Sequence, residues 1–174
     1  MALLADCEDV WDTPDRSGDP VDILDHGLQV AALLAERHPE DEELQLAGLV
    51  HDIGHHLVPA DEAAHGRHAA DAVEGLLGPR VARLVAAHIP AKRYLAAADP
   101  RLVLSPESAR TLGCQGGPMS PEEAAVFAAD PDFPAAIALR RADDAGKVVG
   151  LPVAALESWR PVVRRVAAGR RTAG

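Results

Sequence analysis

The chain has 174 residues, which is the usual length of one domain with one hydrophobic core. Apolar residues make up 48% of the chain and aromatic residues only 3%, so the core must consist of Ala, Leu and Val, a mixture that favours helices over sheet. The formal net charge of −10 argues against a nucleic-acid partner, and no apolar run approaches the ~20 residues of a membrane span.

The first 20 residues, rich in Asp, Pro and Gly, predict a short helix followed by a loop. Beyond them, apolar residues recur at helical spacing. The predicted helices of the first half run from Ile23 to near Pro39, from Leu44 through His51 to His55, over 65–77, and from Val81 to about His88.

Two serines mark helix starts in the second half of the chain. Ser105 and Ser120 are each followed by Pro and then Glu, the order of a capping residue, a first helical position and an acidic first turn. Further helices are predicted over 133–147 and 152–171, the last one basic and amphipathic with a break at Pro161. No repeat or linker interrupts the pattern, so we predict an all-α helical bundle, a single domain over 1–174 with a core of about 18–150.

The two cysteines, Cys7 and Cys114, lie far apart and outside any paired metal-binding spacing. They indicate reduced thiols rather than a disulfide framework. The N-terminus turns acidic at once and lacks the basic segment of a secretory signal. We therefore expect a cytoplasmic protein.

Histidines are concentrated in one part of the chain, with five of the eight between His51 and His68. Imidazole suits Zn, Fe, Cu and Ni, and carboxylates can bridge pairs of metals. In the predicted helix, His55 lies on the face of His51, whereas adjacent His51 and Asp52 diverge by about 100°. Gly54 removes a side chain where another group must approach closely.

A His-Asp pair alone is weak evidence for a metal site. Its context strengthens it, because His26 lies one helix earlier, His65 and His88 on two later helices, and Asp143 on a further one. Four histidines and two aspartates on separate helices of a bundle predict a dinuclear metal centre.

The order of His26, His51-Asp52 and Asp143 resembles the HD superfamily of metal-dependent phosphohydrolases, an all-helical family. His65 and His88 fit its two-metal branch. Segments 88–95 (HIPAKRYL), 115–119 (QGGPM) and 140–147 (RRADDAGK) are similar to the mixed-valent di-iron HD oxygenases of the 2-amino-1-hydroxyethylphosphonate dioxygenase type. The resemblance covers about residues 18–150.

This resemblance implies two iron ions as cofactors. His26, His51, Asp52 and Asp143 would hold one of them, and Asp52, His65 and His88 the other, with Asp52 as the bridge. Asp144 competes with Asp143, and His68 competes with His65. His38 and His56 are expected to be surface residues.

The resemblance also implies an anion pocket next to the metals. Its residues would be His55, Lys92, Ser108, Thr111, Gln115 and Arg140, with His55 and Lys92 as the catalytic candidates. Their chemistry agrees, because Lys and Arg supply charge while hydroxyls and an amide donate further hydrogen bonds. Where the aminophosphonate enzymes have a Tyr and a Glu, this chain has Arg16 and Asp19, which predicts a substrate without a free amine or with a second acid group.

The leading functional interpretation is an oxygenase that uses O₂ to cleave the carbon–phosphorus bond of a small 1-hydroxyphosphonate and releases phosphate. A metal-dependent phosphohydrolase acting on a phosphate ester or nucleotide is the alternative, since both reactions need the same ligands. A non-enzymatic metal-binding or regulatory module is the third interpretation.

Overall fold

Helices account for all the regular secondary structure of the part of the chain that the structure describes. A computed structural model covers residues 1–13 and 15–172, and the side chains of 170–172 fall outside that description. The helices are α1 (Ala2–Ala5), α2 (Ile23–Arg37), α3 (Glu42–Val50), α4 (Gly54–Leu57), α5 (His65–Leu77), α6 (Pro79–Ala98), α7 (Pro106–Cys114), α8 (Pro121–Ala128), α9 (Phe133–Ala145) and α10 (Arg160–Thr172). The predicted all-α fold is confirmed.

Side-chain caps begin several helices where the sequence places them. Ser105 accepts a hydrogen bond from the backbone N–H of Ser108 at 3.1 Å. Ser120 and Glu123 form a reciprocal capping box at the start of α8. Asp22 caps α2 by accepting a hydrogen bond from the backbone N–H of Asp25. These caps satisfy backbone N–H groups that a helix leaves without partners.

The core is aliphatic, as the composition predicts. Helices α2, α3, α6 and α9 pack against one another, and α5 packs along α6. The largest fully buried hydrophobic side chains are Leu34, Leu44, Leu46, Ile53, Leu84 and Leu139. Within the described ranges, no helix combines the length and the hydrophobicity needed to traverse a lipid bilayer.

Helix α6 is much longer than the sequence pattern indicates. Its predicted end near His88 is wrong, because the helix continues through Pro90 to Ala98. Pro90 removes one helical hydrogen bond, but buried Ile89, Ala91 and Leu95 hold the segment in the core on both sides of it. Lys92 consequently lies one turn beyond His88 on the same helix.

The C-terminal segment forms a 3₁₀ turn and then a helix. The turn, Leu156–Trp159, buries Trp159 against the core, and α10 begins at Arg160. The predicted start at 152 is therefore too early, and Pro161 lies in the first turn of α10 rather than at a break. Of the predicted basic face, the side chains of Arg170 and Arg171 lie outside the described residues.

Candidate metal centre and active site

The segment from His51 to His55 is not one continuous helix. Helix α3 ends at Val50, and a turn separates it from α4, which begins at Gly54. The predicted run of helix through Asp52 is wrong for a reason that matters to the site. On a helix, adjacent side chains point about 100° apart. In the turn, the His51 Nε2 and Asp52 Oδ2 atoms approach to 3.4 Å, so both residues face one point.

Four imidazole rings are anchored through their Nδ1 atoms. In each ring, Nδ1 lies 2.6–2.9 Å from a backbone carbonyl oxygen, which can only accept a hydrogen bond. The Nδ1 atom must therefore carry a proton, so Nε2 is the atom that each ring can offer to a metal ion. The pairs are His26 with Gly146, His51 with Gly48, His65 with Glu62, and His88 with Val85.

The Nε2 atoms meet in two pairs. Those of His26 and His51 lie 3.3 Å apart, and those of His65 and His88 lie 2.9 Å apart. The rings come from α2, the turn after α3, α5 and α6, and all four residues are buried. Two ring nitrogens at such distances need a cation between them, a proton or a metal ion, so each pair is suited to metal binding.

Asp52 lies between the two pairs and directs one carboxylate oxygen to each. Its Oδ2 atom is 3.5 Å from His26 Nε2 and 3.4 Å from His51 Nε2. Its Oδ1 atom is 3.4 Å from His65 Nε2 and 3.6 Å from His88 Nε2. This is the geometry expected of a bridging carboxylate. Burial opposes ionisation of Asp52, but the facing imidazoles, His51 foremost, outweigh it and hold its pKa well below the usual range.

The second predicted aspartate lies beside one of the histidine pairs. Asp143, on α9, lies 3.4 Å from His26 Nε2 and 3.8 Å from His51 Nε2. Asp144, its competitor in the sequence, instead forms an ion pair with Arg140. His68, the competitor of His65, pairs with Asp61 at 2.8 Å. The structure therefore brings together the six residues favoured as ligands.

The donor set fits a pair of first-row metal ions. Two donors about 2.1 Å from one ion lie about 3.0 Å apart along an octahedral edge and about 3.4 Å apart along a tetrahedral edge. The separations among His26, His51 and Asp52, and among Asp52, His65 and His88, run from 2.9 to 3.6 Å. Imidazole and carboxylate donors suit iron among other metals.

A cavity opens on this centre, and cationic and hydroxyl side chains line it. Lys92 donates a hydrogen bond to Thr111 Oγ1 at 2.9 Å. Arg140 contacts Asp143 at 2.6 Å and lies within 3.4 Å of Ser108 Oγ. The cavity wall includes five of the residues predicted to bind an anion, namely His55, Lys92, Ser108, Thr111 and Arg140.

Comparison with known proteins identifies the family. The model of the HD domain matches residues 23–131. The chain belongs to the HD-domain family. It is 33% identical over 159 residues to [1-hydroxy-2-(trimethylamino)ethyl]phosphonate dioxygenase (glycine-betaine-forming) of Leisingera caerulea, covering 86% of this chain and 81% of that protein. It is 37% identical over 147 residues to hydroxymethylphosphonate dioxygenase of Gimesia maris, covering 78% and 73%. An uncharacterized protein of Acanthamoeba polyphaga mimivirus is 32% identical over 158 residues, covering 84% and 72%.

Two predicted substrate contacts of this HD-domain chain lie away from the main cavity. Arg16 stacks over Trp11, with its guanidinium carbon 5.0 Å from the ring centroid, and lines a neighbouring cavity that shares only His55 with the first. Gln115 is buried and donates to the backbone carbonyl of Glu62 at 3.0 Å. Neither residue lines the cavity that contains Lys92, and their roles as substrate contacts remain predictions.

The HD-domain cavity also contains residues that the sequence analysis did not single out. Lys147 lies 2.6 Å from Asp19 Oδ2, and three more carboxylates line the wall, those of Asp12, Glu62 and Glu107. One feature of the sequence could have identified Lys147, namely its position four residues after Asp143 on a predicted helix. The carboxylates carried none, because they come from loops and helix ends without a recognisable motif.

Two glycines allow the helices of the metal centre to approach closely. A Cβ atom on Gly54 would lie 1.9 Å from the backbone oxygen of His65, and one on Gly66 would lie 2.7 Å from the ring of His88. The close approach predicted at Gly54 is therefore that of α5, which carries one of the imidazoles. His38 is exposed as expected, and His56 is half-buried beside the neighbouring cavity.

Proposed function

We propose that this protein is a di-iron oxygenase that cleaves the carbon–phosphorus bond of a small 1-hydroxyphosphonate. One O₂ molecule is consumed for each substrate molecule. The carbon loses its bonds to phosphorus and hydrogen and becomes a carboxylic acid, and the phosphorus leaves as phosphate. The two oxygen atoms of O₂ balance the added oxygen in the acid and in the phosphate.

The observation that supports a two-metal centre is the division of the Asp52 carboxylate between two histidine pairs. His26, His51 and Asp143 would hold one ion, and His65 and His88 the other, with Asp52 shared. When bound, a di-iron centre supplies O₂ activation and a site for the substrate's hydroxyl and phosphonate oxygens.

The cationic wall of the cavity would orient the phosphonate. Lys92 and Arg140 supply positive charge, and Ser108 and Thr111 supply hydroxyl donors, all within the cavity that contains Asp52. Both cations are buried, so an anion between them is poorly screened by water and bound strongly. The phosphonate would be fixed at one end, with its hydroxyl-bearing carbon towards the metals.

His55 would contact the substrate as a neutral imidazole. Its ring stacks on that of His65 with centroids 4.1 Å apart. Burial is the main reason that the pKa of His55 falls to about 4, and the neighbouring His65 adds to the effect. At neutral pH the ring therefore keeps one donor and one acceptor for the substrate's hydroxyl or phosphonate group.

A phosphohydrolase would use the same donors to activate water, so the donors alone do not distinguish the two reactions. The oxygenase is favoured because two relatives, each covering more than two thirds of this chain, are named as phosphonate dioxygenases.

The test is stoichiometry with iron-loaded enzyme. Hydroxymethylphosphonate in aerated buffer is expected to give phosphate, formate and consumed O₂ in equal amounts, and none of them under nitrogen. Phosphate release that continues without O₂, or release from phosphate esters alone, would instead identify a hydrolase. An electron paramagnetic resonance signal from a coupled Fe(II)/Fe(III) pair is the expected spectroscopic signature.

A further inference from the structure

We propose that the ion pair between Lys147 and Asp19 makes the active site selective for 1-hydroxyphosphonates without a cationic end group. This inference rests on the proposed function. The named relatives differ in this respect, because the substrate in one name carries a trimethylammonium group and the substrate in the other carries no end group. The sequence identities of 33% and 37% are too similar to choose between them.

Asp19 is a predicted substrate contact whose carboxylate could attract a cationic group, but a lysine of the chain already neutralises it. Lys147 Nζ lies 2.6 Å from Asp19 Oδ2, and both side chains are mostly buried in the cavity wall, with 12% and 18% of their surface exposed. The attraction between two charges shielded from water in this way is stronger than on the surface, and separating them would leave a buried charge without a partner. A substrate ammonium group would have to displace Lys147 before it could use Asp19.

Lys147 is also fixed on its other side, so it cannot easily move away. Its Nζ atom lies 3.3 Å from Ser108 Oγ and 3.8 Å from Asp143 Oδ1. Ser108 belongs to the proposed phosphonate-binding wall, so the lysine connects that wall to Asp19. Its positive charge favours an anionic headgroup and repels a cationic end group placed beside it.

The remaining carboxylates of the cavity have partners within the chain. Glu107 binds the guanidinium of Arg110 through both of its oxygens, and Glu62 lies 3.6 Å from the same group. Asp12 accepts hydrogen bonds from the backbone N–H groups of Thr13 and Asp19 at 2.8 and 3.0 Å. These three carboxylates of the cavity wall therefore hold the loop and α7 in place and do not form an open cation site.

The size of the cavity also favours a substrate without a bulky end group. Its volume is about 40 Å³, and a single water needs roughly 10–15 Å³ measured in this way. Hydroxymethylphosphonate has no further group on its hydroxyl-bearing carbon. A trimethylammonium group needs more room, and the Lys147–Asp19 pair lies in the wall of this cavity.

The first experiment compares ligands on the wild-type iron-loaded enzyme. Dissociation constants are measured without O₂ by calorimetry, and kcat/KM by phosphate release in air, for hydroxymethylphosphonate, 2-amino-1-hydroxyethylphosphonate, its trimethylated form, and a 1-hydroxyphosphonate with a carboxylate end. In both measurements, hydroxymethylphosphonate is expected to be favoured over the two ammonium-end compounds by about tenfold or more, and the carboxylate-end compound should not rank below them. Preference for an ammonium end would overturn the proposal. If no compound releases phosphate, the proposed function fails, and the anaerobic dissociation constants still decide the end-group preference.

The second experiment removes the cation. Lys147→Met frees Asp19, so the affinity ratio of 2-amino-1-hydroxyethylphosphonate to hydroxymethylphosphonate should rise about tenfold, even if both compounds bind more weakly. Lys147→Arg should restore the wild-type order. Arg83→Met is the control, since Arg83 pairs with Asp132 and lies outside the cavity wall, and it should change the ratio by less than about threefold. An unchanged ratio in Lys147→Met, or an equal change in Arg83→Met, would refute a specific role for the pair.

Discussion

The Nε2 atoms of His65 and His88 lie 2.9 Å apart, while each ring donates from Nδ1 to a backbone carbonyl of its own chain segment. The two Nε2 atoms therefore face each other in a buried site, which is unfavourable unless a cation, a proton or a metal ion, lies between them. The same holds for His26 and His51 at 3.3 Å. Each pair would therefore form one half of the proposed two-metal centre.

Replacement of one imidazole should remove one ion. We expect His88→Ala to lower the iron content from two ions per chain to about one, because only His65 and Asp52 remain on that side. His68→Ala is the control, since His68 pairs with Asp61 away from the centre and should leave both ions bound. Iron is measured by elemental analysis, with circular dichroism to verify folding. Two ions retained by folded His88→Ala protein would contradict the two-pair assignment.

Removal of metal should destabilise the fold, because the folded state holds the donors in place and the unfolded state does not. Ligand present at about 100 times its dissociation constant stabilises by about 2.7 kcal/mol, which for a chain of this size corresponds to roughly 5–10 °C in Tm. Chelation should lower Tm by this amount and added ferrous iron should restore it. Equal Tm values before and after chelation, with metal loss verified, would argue that the four imidazole rings do not bind metal in the folded state.

Where local signals agree, the sequence alone predicts the structure well. The amphipathic helix over 65–77 is confirmed at both ends, because Gly78 and Pro79 follow it. The end of α3 at Val50 has no such signal, since it depends on the positions of neighbouring helices. The predicted end of α6 near His88 is wrong for the same reason, because burial on both sides of Pro90 keeps the helix continuous.

The functional site likewise contains residues that the sequence predicts and contacts that it does not. The residues proposed as ligands came from a motif order that resembles a family, and the structure brings all six of them together. The Lys147–Asp19 pair was not predicted, because it joins residues 128 positions apart and depends on how the N-terminal loop folds over the cavity. Arg16 is a predicted substrate contact by its alignment position alone, and in the structure it stacks on Trp11 beside the neighbouring cavity.

A methyl group at Gly54 should disrupt the centre more than its size suggests. The Cβ of Gly54→Ala would lie 1.9 Å from the backbone oxygen of His65, so α4 and α5 must separate. We expect a loss of about 2–4 kcal/mol in the free energy of unfolding and weaker metal binding on the His65 side. Gly75→Ala is the control, because no atom lies within 4 Å of its Cβ position and alanine favours the helix. Denaturant titration of both variants makes the comparison, and equal stabilities would contradict the close approach.

The charge of Lys92 should set an upper pH limit on phosphonate binding. Burial, with a smaller contribution from nearby Arg140, lowers the pKa of Lys92 to about 8. Because the lysine is charged only below its pKa, kcat/KM for a hydroxyphosphonate should be highest below about pH 8 and fall as the pH rises through it. Lys92→Arg keeps its charge well above this range, so its profile should stay level where that of the wild type declines, even if its maximum is lower. The substrate's own ionisation is the same for both proteins and cancels in the ratio of the two profiles. If the ratio is flat between pH 7 and 9.5, the decline belongs to another group and Lys92 does not bind the anion through its charge.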